Sequence, residues 1–417
     1  MSGMRTIVVL SLALAFPTAG SADENWARFR GPSGTGHANG RGLPLTWEEG
    51  KNIVWKTAIH DKGWSSPVVW GDQVWVTTAR ANGTEMFAVC VDRATGKVVY
   101  DVRVFDVEKP SPLHNPTNTY ASPTPAIEEG RVYVHFGSYG TACLDTKTAK
   151  ILWTRRDLPC DHWRGPASSP IIYRDLLILT FDGHDVQYLA ALDKATGKTV
   201  WKKDRSFAYG DLDGDQKKAY STPSVFTVNG KPQLVSPAAW GTIAYDPQTG
   251  EELWKVRHGG MNTGVTPLYG QRKVFVCTSD GGLQLVAVRP DGRGDVTDTH
   301  IAWTVTRNVP LTPSLLLVGD ELYMMSDGGV ATCLEAKTGK EVWRERIGGG
   351  QSASPVYADG KIYFLGEDGK GVVIKAGRKF EELARNDMQE RTLASYAAAD
   401  GALFLRTEKH LYRIEEK

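Results

Sequence analysis

The sequence predicts an all-β chain: an eight-bladed β-propeller of four-stranded antiparallel blades, its ring closed by an N-terminal strand that completes the last blade. Three observations carry this. A Ser/Thr-Pro pair followed by an alternating apolar segment starts at Ser66, Ser122, Ser169, Thr222, Thr266, Thr312 and Ser354, with a degenerate copy at Ser395. The spacing averages about 47 residues, which suits a blade of four short strands. A turn of the form acid-x-x-Thr-Gly recurs, with an aromatic residue four positions past the glycine, and no stretch shows helical periodicity.

The elements follow in chain order. Arg5 precedes an apolar run from Ile7 to Phe16, Pro17 breaks it, and small residues lead to Asp23. This is the order of a cleaved secretory signal over residues 1–22, and the run is half of the ~20 residues that a spanning helix needs. Residues 23–417 then read as one repeat domain. Its first strand, NIVWKTAI, carries Trp55 at the position that outer-strand aromatics occupy elsewhere, yet it precedes the first Ser-Pro. The last repeat has three strands and then ends, so the N-terminal strand supplies its fourth, which removes two sheet edges.

Within each unit, strands A and B are joined by short turns (WGD, EEG, ADG) and strand C ends in the acid. The Thr-Gly turn opens strand D in DRATGKVVY, DKATGKTVW, DPQTGEELW and EAKTGKEVW, while DTKTAKILW has alanine in the glycine place. Glycine supplies the positive φ of a tight bulged hairpin, and the acid accepts from the turn's own amides. The aromatic is expected to pack over the next unit. The stretch PDGRGDVTD replaces this turn in the fifth unit with a longer one.

Antiparallel strands send the loops before strand A and the B-to-C turns to one face. Length and chemistry concentrate there in blades one to four, on loops including DVEKPSPLHNPTNTY, RRDLPCDHWRG, FDGHDVQY and PAAWGT. His114, Asp161, His162, Trp163, Arg164, Asp182, His184, Asp185 and Trp240 are the candidates for a shared ligand pocket. The tryptophans offer stacking faces, Arg164 an anion partner, and the His and Asp residues proton or metal ligands. No second histidine follows His184 at zinc-ligand spacing. Asp211, Asp213 and Asp215 resemble the start of a calcium loop, but Gln216 and Thr222 stand where an EF-hand has Gly and Glu.

Composition removes several classes. Lys plus Arg (49) balances Asp plus Glu (48), so nucleic acid is not an expected partner. Cys90, Cys143 and Cys333 each stand two residues before an acid, filling a small apolar slot of the repeat, so the five cysteines read as buried hydrophobes. No GxSxG, P-loop, GxGxxG or HExxH element occurs.

The AxDxxTGKxxW motif and the eightfold count resemble the pyrroloquinoline quinone repeat family, over about residues 26–417. Two groups of that superfamily are relevant. Resemblance to the quinoprotein alcohol dehydrogenases implies pyrroloquinoline quinone with calcium in the central channel and oxidation of an alcohol or sugar. Many of those enzymes carry adjacent cysteines, and none are adjacent here. Resemblance to BamB, the noncatalytic scaffold of outer-membrane β-barrel assembly, implies a binding module with an envelope protein or glycan as partner. No cysteine follows the apolar run, a departure from that lipoprotein group. The expectation is an exported, periplasmic or extracellular, monomeric scaffold that does not span the membrane and has no confident cofactor.

Overall fold

The computed structural model describes residues 25–115 and 117–416; the expected signal segment lies outside them. Eight antiparallel sheets follow one another along the chain. Blade 1 runs from Val68–Trp70 to Val98–Asp106, blade 2 from Ala126–Glu128 to Ile151–Arg155, and blade 3 from Ile171–Tyr173 to Thr199–Asp204. Blade 4 runs from Ser224–Val228 to Glu252–Arg257, blade 5 from Leu268–Gly270 to Ile301–Val305, and blade 6 from Leu316–Val318 to Glu341–Arg346. Blade 7 runs from Val356–Ala358 to Glu382–Asp387. Blade 8 joins Ala397–Ala399, Ala402–Arg406 and His410–Glu415 to the N-terminal strand Ile53–Ala58, which pairs antiparallel from Ile53↔Ile414 to Ala58↔His410. The ring is closed as the sequence predicts.

Blades 8, 1, 2, 3, 5 and 6 are each sealed to the next by an outer-strand aromatic that donates to a carbonyl of the neighbouring blade's turn: Trp55, Tyr100, Trp153, Trp201, Trp303 and Trp343. A Cβ on Gly96 of blade 1 would lie 2.7 Å from the Trp55 ring of blade 8; Gly197, Gly250 and Gly339 stand in the same relation to Trp153, Trp201 and Trp303. Glycine therefore serves twice, taking φ between 71° and 74° and clearing space for an indole. In blade 2 the glycine is Ala149, at φ 55°, and the ring reaching over from blade 1 is the smaller Tyr100, bonded through its hydroxyl to the Lys147 carbonyl. The turn acids behave as expected: Asp92 Oδ1 accepts from the Thr95 amide at 2.7 Å and its hydroxyl at 2.6 Å. All five cysteines are buried and free, and burial pushes the thiols of Cys143 and Cys333 up to about 12.

The Ser/Thr-Pro motif makes a ring of its own around the central channel. The Ser66 amide donates to Thr124 Oγ1, Thr124 to Ser169, Ser169 to Thr222, Thr266 to Ser314, Ser314 to Ser354, Ser354 to Ser395, and Ser395 back to Ser66, all at 2.9–3.1 Å. This corrects the reading of two repeats. The ring residue is Thr124 in blade 2, not Ser122, and Ser314 in blade 6, not Thr312. Strand A begins two residues past the ring hydroxyl in every blade, so the hydroxyl sets the phase and the proline does not. PDGRGDVTD is also more than a turn: Gly294–Asp295 adds to the outer edge of blade 4 as a parallel fifth strand.

Residues ahead of the first strand cross the channel floor, an element the repeat did not announce. Trp26 pairs with Val69 of blade 1, and the Ala27 carbonyl accepts from Ile127 of blade 2. On the far side, Gly36 and Ala38 pair with Tyr357 of blade 7. Between them Arg30 is buried, its guanidinium donating to the carbonyls of Pro355 (2.6 Å), Thr35 (2.8 Å) and Leu315. Carbonyls alone satisfy it, and burial lowers its pKa to about 9. No described helix is long and apolar enough to cross a membrane.

Candidate functional site

The floor strap leaves the channel open on the opposite face, where the loops between blades and the B-to-C turns gather. There the channel widens into a cavity of about 400 Å³. Ring hydroxyls line it below, Phe29 of the strap touches it, and Trp64, Asn118, Tyr220 and Asn262 form the upper wall. Among the described residues, Arg164 and Asp280 are the only charged ones in its lining.

The loop between blades 2 and 3 dominates the mouth. Trp163, at φ 56°, is inserted between His114 of the preceding loop (centroids 3.8 Å apart, 15° between planes) and His184 of the next turn (4.9 Å, 24°). Backbone bonds hold the stack: the His114 amide donates to the Trp163 carbonyl at 3.0 Å and the His184 amide to the Asp161 carbonyl at 2.7 Å. Asp161 Oδ1 accepts from the Trp163 amide at 2.9 Å, and Asp185 Oδ1 from the Asp161 amide at 2.7 Å. These two carboxylates shape the loop.

Arg164 points to the channel. Its guanidinium lies 3.3 Å from Asp215 Oδ2 and 3.9 Å from Asp280 Oδ2. Asp215 also meets the ammonium of Lys218, whose side chain is buried; burial and then Arg164 lower that amine to about 8. Asp213 caps the short 3₁₀ turn Gly214–Lys217. Asp213 and Asp215 of the calcium-like stretch thus serve a cap and two cations. Trp240, in the blade 4 turn at φ 66°, donates from its indole to the Gln216 carbonyl at 2.9 Å.

His114, Asp161, Trp163, Arg164, His184 and Asp185 come together at one mouth, with Trp240 beside them. His162 and Asp182 do not join it. His162 turns under the loop, where Nε2 accepts from the Ser138 amide at 3.0 Å and burial lowers its pKa to about 4. Asp182 is fully buried in a two-pronged pair with Arg205, at 2.6 and 2.9 Å. Sequence reasoning missed Trp64, Asn118, Tyr220, Asn262 and Asp280. Each lies within a few positions of a ring hydroxyl or in a B-to-C turn, so the correct repeat phase would have aimed them at the channel.

The lining does not fit a calcium-bound quinone. Calcium takes 6–8 oxygen ligands, usually several of them carboxylate. This cavity offers one carboxylate, Asp280, already facing Arg164. Among the described residues no group of three His, Cys, Asp or Glu side chains is placed to hold a metal. A quinone bearing several carboxylates would meet only that one neutralised arginine.

Comparison with known proteins agrees with the architecture. The family described as outer membrane protein assembly factor BamB matches residues 45–204, 185–317 and 294–406. The curated BamB of Shewanella oneidensis is 24% identical over 295 residues, 66% of this chain and 69% of that protein. The quinoprotein alcohol dehydrogenase PedH of Pseudomonas putida is 33% identical over 142 residues, 31% of this chain but only 22% of that enzyme. Among solved structures, BamB from Moraxella catarrhalis superposes with a TM-score of 0.61 at 14% identity, covering 88% of this chain and 97% of that one, a likeness of fold.

Proposed function

The chain belongs to the outer membrane protein assembly factor BamB family, and we propose that it is a noncatalytic binding scaffold of the cell envelope. Its partner, an envelope protein or a glycan, is held at the mouth formed by the loops of blades 1 to 4. One observation carries this reading: the His114–Trp163–His184 stack stands on loops whose neighbouring charges are turned on one another. Arg164 and Lys218 lie against Asp215, and Asp161 and Asp185 accept from backbone amides. Such a surface is preorganised for contact.

The alternative is a quinone-dependent dehydrogenase oxidising an alcohol or sugar, favoured by the short stretch of likeness to PedH. Mixing the purified protein with pyrroloquinoline quinone and Ca²⁺ separates the two. Retention of stoichiometric cofactor with dye reduction on adding alcohols or sugars sinks the scaffold reading; neither is expected. For the binding role, an envelope protein or glycan captured by the wild type and identified by mass spectrometry should be lost with Trp163→Ala and Arg164→Ala. Capture that survives both changes moves the site off this mouth.

A further inference from the structure

Across the same face, at its outer margin between blades 5 and 6, lies an open notch of about 460 Å³ whose lining is mostly cationic: Arg307, Asn308, Val330, Arg344 and Arg346. The fold brings these residues together from different segments. Arg344 and Arg346 end the outer strand of blade 6 and, two positions apart, project to the same side. Val330, paired with Arg346 across the sheet, forms the wall behind them. Arg307 and Asn308 belong to the loop leaving blade 5, and Asn308, at φ 54°, turns the chain there.

Three guanidinium groups lining one notch repel one another unless something negative lies between them. The protein supplies little. Arg344 has Glu341 at 3.6 Å, and Arg346 donates to the Gly328 carbonyl at 2.6 Å. Among the described residues no carboxylate lies within ion-pair range of Arg307 or Arg346. Glu345, between the two strand arginines, projects to the opposite side. In a chain whose charges balance, this local excess is not a consequence of composition. The binding mouth of blades 2 to 4 provides the contrast, since its cations all face carboxylates.

We propose that this notch is a binding site for a phosphate monoester. A carboxylate has two oxygens and one charge, which a single arginine fork satisfies. A phosphate monoester offers three terminal oxygens and close to two charges, enough to be shared among Arg307, Arg344 and Arg346, with the Asn308 amide as a neutral donor. The group could be carried by a soluble metabolite or displayed as a lipid headgroup; the chemistry at the notch is the same.

Two probes test this. Glycerol 3-phosphate, titrated at low ionic strength by calorimetry, represents the soluble source; phosphatidylcholine vesicles with and without phosphatidic acid represent the lipid. Saturable one-to-one binding near about 1 mM is expected for at least one probe. Which probe binds identifies the source. Arg307→Ala and Arg346→Ala should each weaken binding about tenfold, and Arg346→Lys should fail to restore it, because an ammonium has no fork. Unchanged melting temperatures would show these exposed exchanges leave the fold intact. Absence of binding to both probes, or binding indifferent to the arginine variants, overturns the site. Tighter capture of an acidic peptide than of either phosphate, lost in the same variants, overturns the phosphate assignment in favour of a protein partner.

Discussion

Arg164, Arg205 and Lys218, on the half of the face built by blades 2 to 4, each lie against a carboxylate, whereas Arg307 and Arg346 on the blade 5–6 half have none. The loops explain the difference. The first half carries long connections with no strand partners, and each must be tied down by side chains; ion pairs and the Trp163 stack do this. The second half has shorter connections, and Arg307 and Arg346 are not used there to tie a loop down by an ion pair. Charge that fixes a loop and charge left for a solute can thus be told apart by partner.

The sharpest way to break this comparison is to exchange one arginine from each half. Arg205→Met leaves Asp182 buried without its cation and should lower stability by about 3–5 kcal/mol. Arg346→Met should change it by no more than about 1 kcal/mol, as expected of an exposed side chain whose one partner is the Gly328 carbonyl. Urea denaturation of the two variants measures both. Similar losses would mean that Arg346 is as structural as Arg205, and the distinction would fail.

A smaller effect appears with pH. His162 and His258 are pulled down to about 4 and His135 to about 3, in each case chiefly by burial; His135 and His258 are bonded to Thr141 and Thr242. All three belong to blades 2 to 4. In the unfolded chain their pKa lies near about 6.5. As the pH falls below that value the unfolded state takes up protons that the native state refuses, so stability declines until about pH 4, and for His135 about pH 3. Each of the three should contribute on the order of a few kcal/mol to this acid destabilisation. His258→Gln should flatten the decline between pH 6.5 and 4 in thermal melts; an unchanged slope would assign it to carboxylates instead.

Much of the architecture was legible because it is written eight times. The Thr-Gly turn, the outer aromatic and the missing fourth strand of the last blade each have a local cause, and repetition averages out the exceptions. The errors came where one copy offered two choices. Ser122-Pro123-Thr124-Pro125 contains the motif in both phases, and Thr312-Pro313-Ser314 puts proline after the wrong hydroxyl; only the ring of hydrogen bonds decides. The floor strap was hidden for a different reason, since Arg30 meets partners 285 and 325 residues away. Of the candidate site, the loop was legible from length and composition. Asp182 was not separable from its neighbours, because its partner Arg205 comes from the following loop. The arginine notch belongs to no motif at all.

The finest distinction concerns the border between the two halves. Ring bonds join every successive pair of blades among the described contacts except blades 4 and 5, where Thr266 Oγ1 is buried and makes no hydrogen bond. That seam is held instead by the Ser221 hydroxyl on the Val265 carbonyl at 2.8 Å and the Tyr220 amide on the Thr263 carbonyl at 2.8 Å, and at the rim by the parallel strand Gly294–Asp295, the Arg257–Asp295 pair at 3.4 Å and the Gln233 bond to the Pro290 carbonyl at 3.1 Å. Ser395→Ala, at an intact link, strands the buried Ser354 amide and should cost about 1–2 kcal/mol. Thr266→Val keeps the shape while deleting a hydroxyl that satisfies nothing, so it should be neutral or stabilise by up to about 1 kcal/mol. Equal losses in denaturant titrations would show that the inner ring runs unbroken through the fourth and fifth blades. A loss confined to Ser395→Ala would show that the ring changes its pattern at that seam, where Ser221 and the rim strand carry the connection that Thr266 does not.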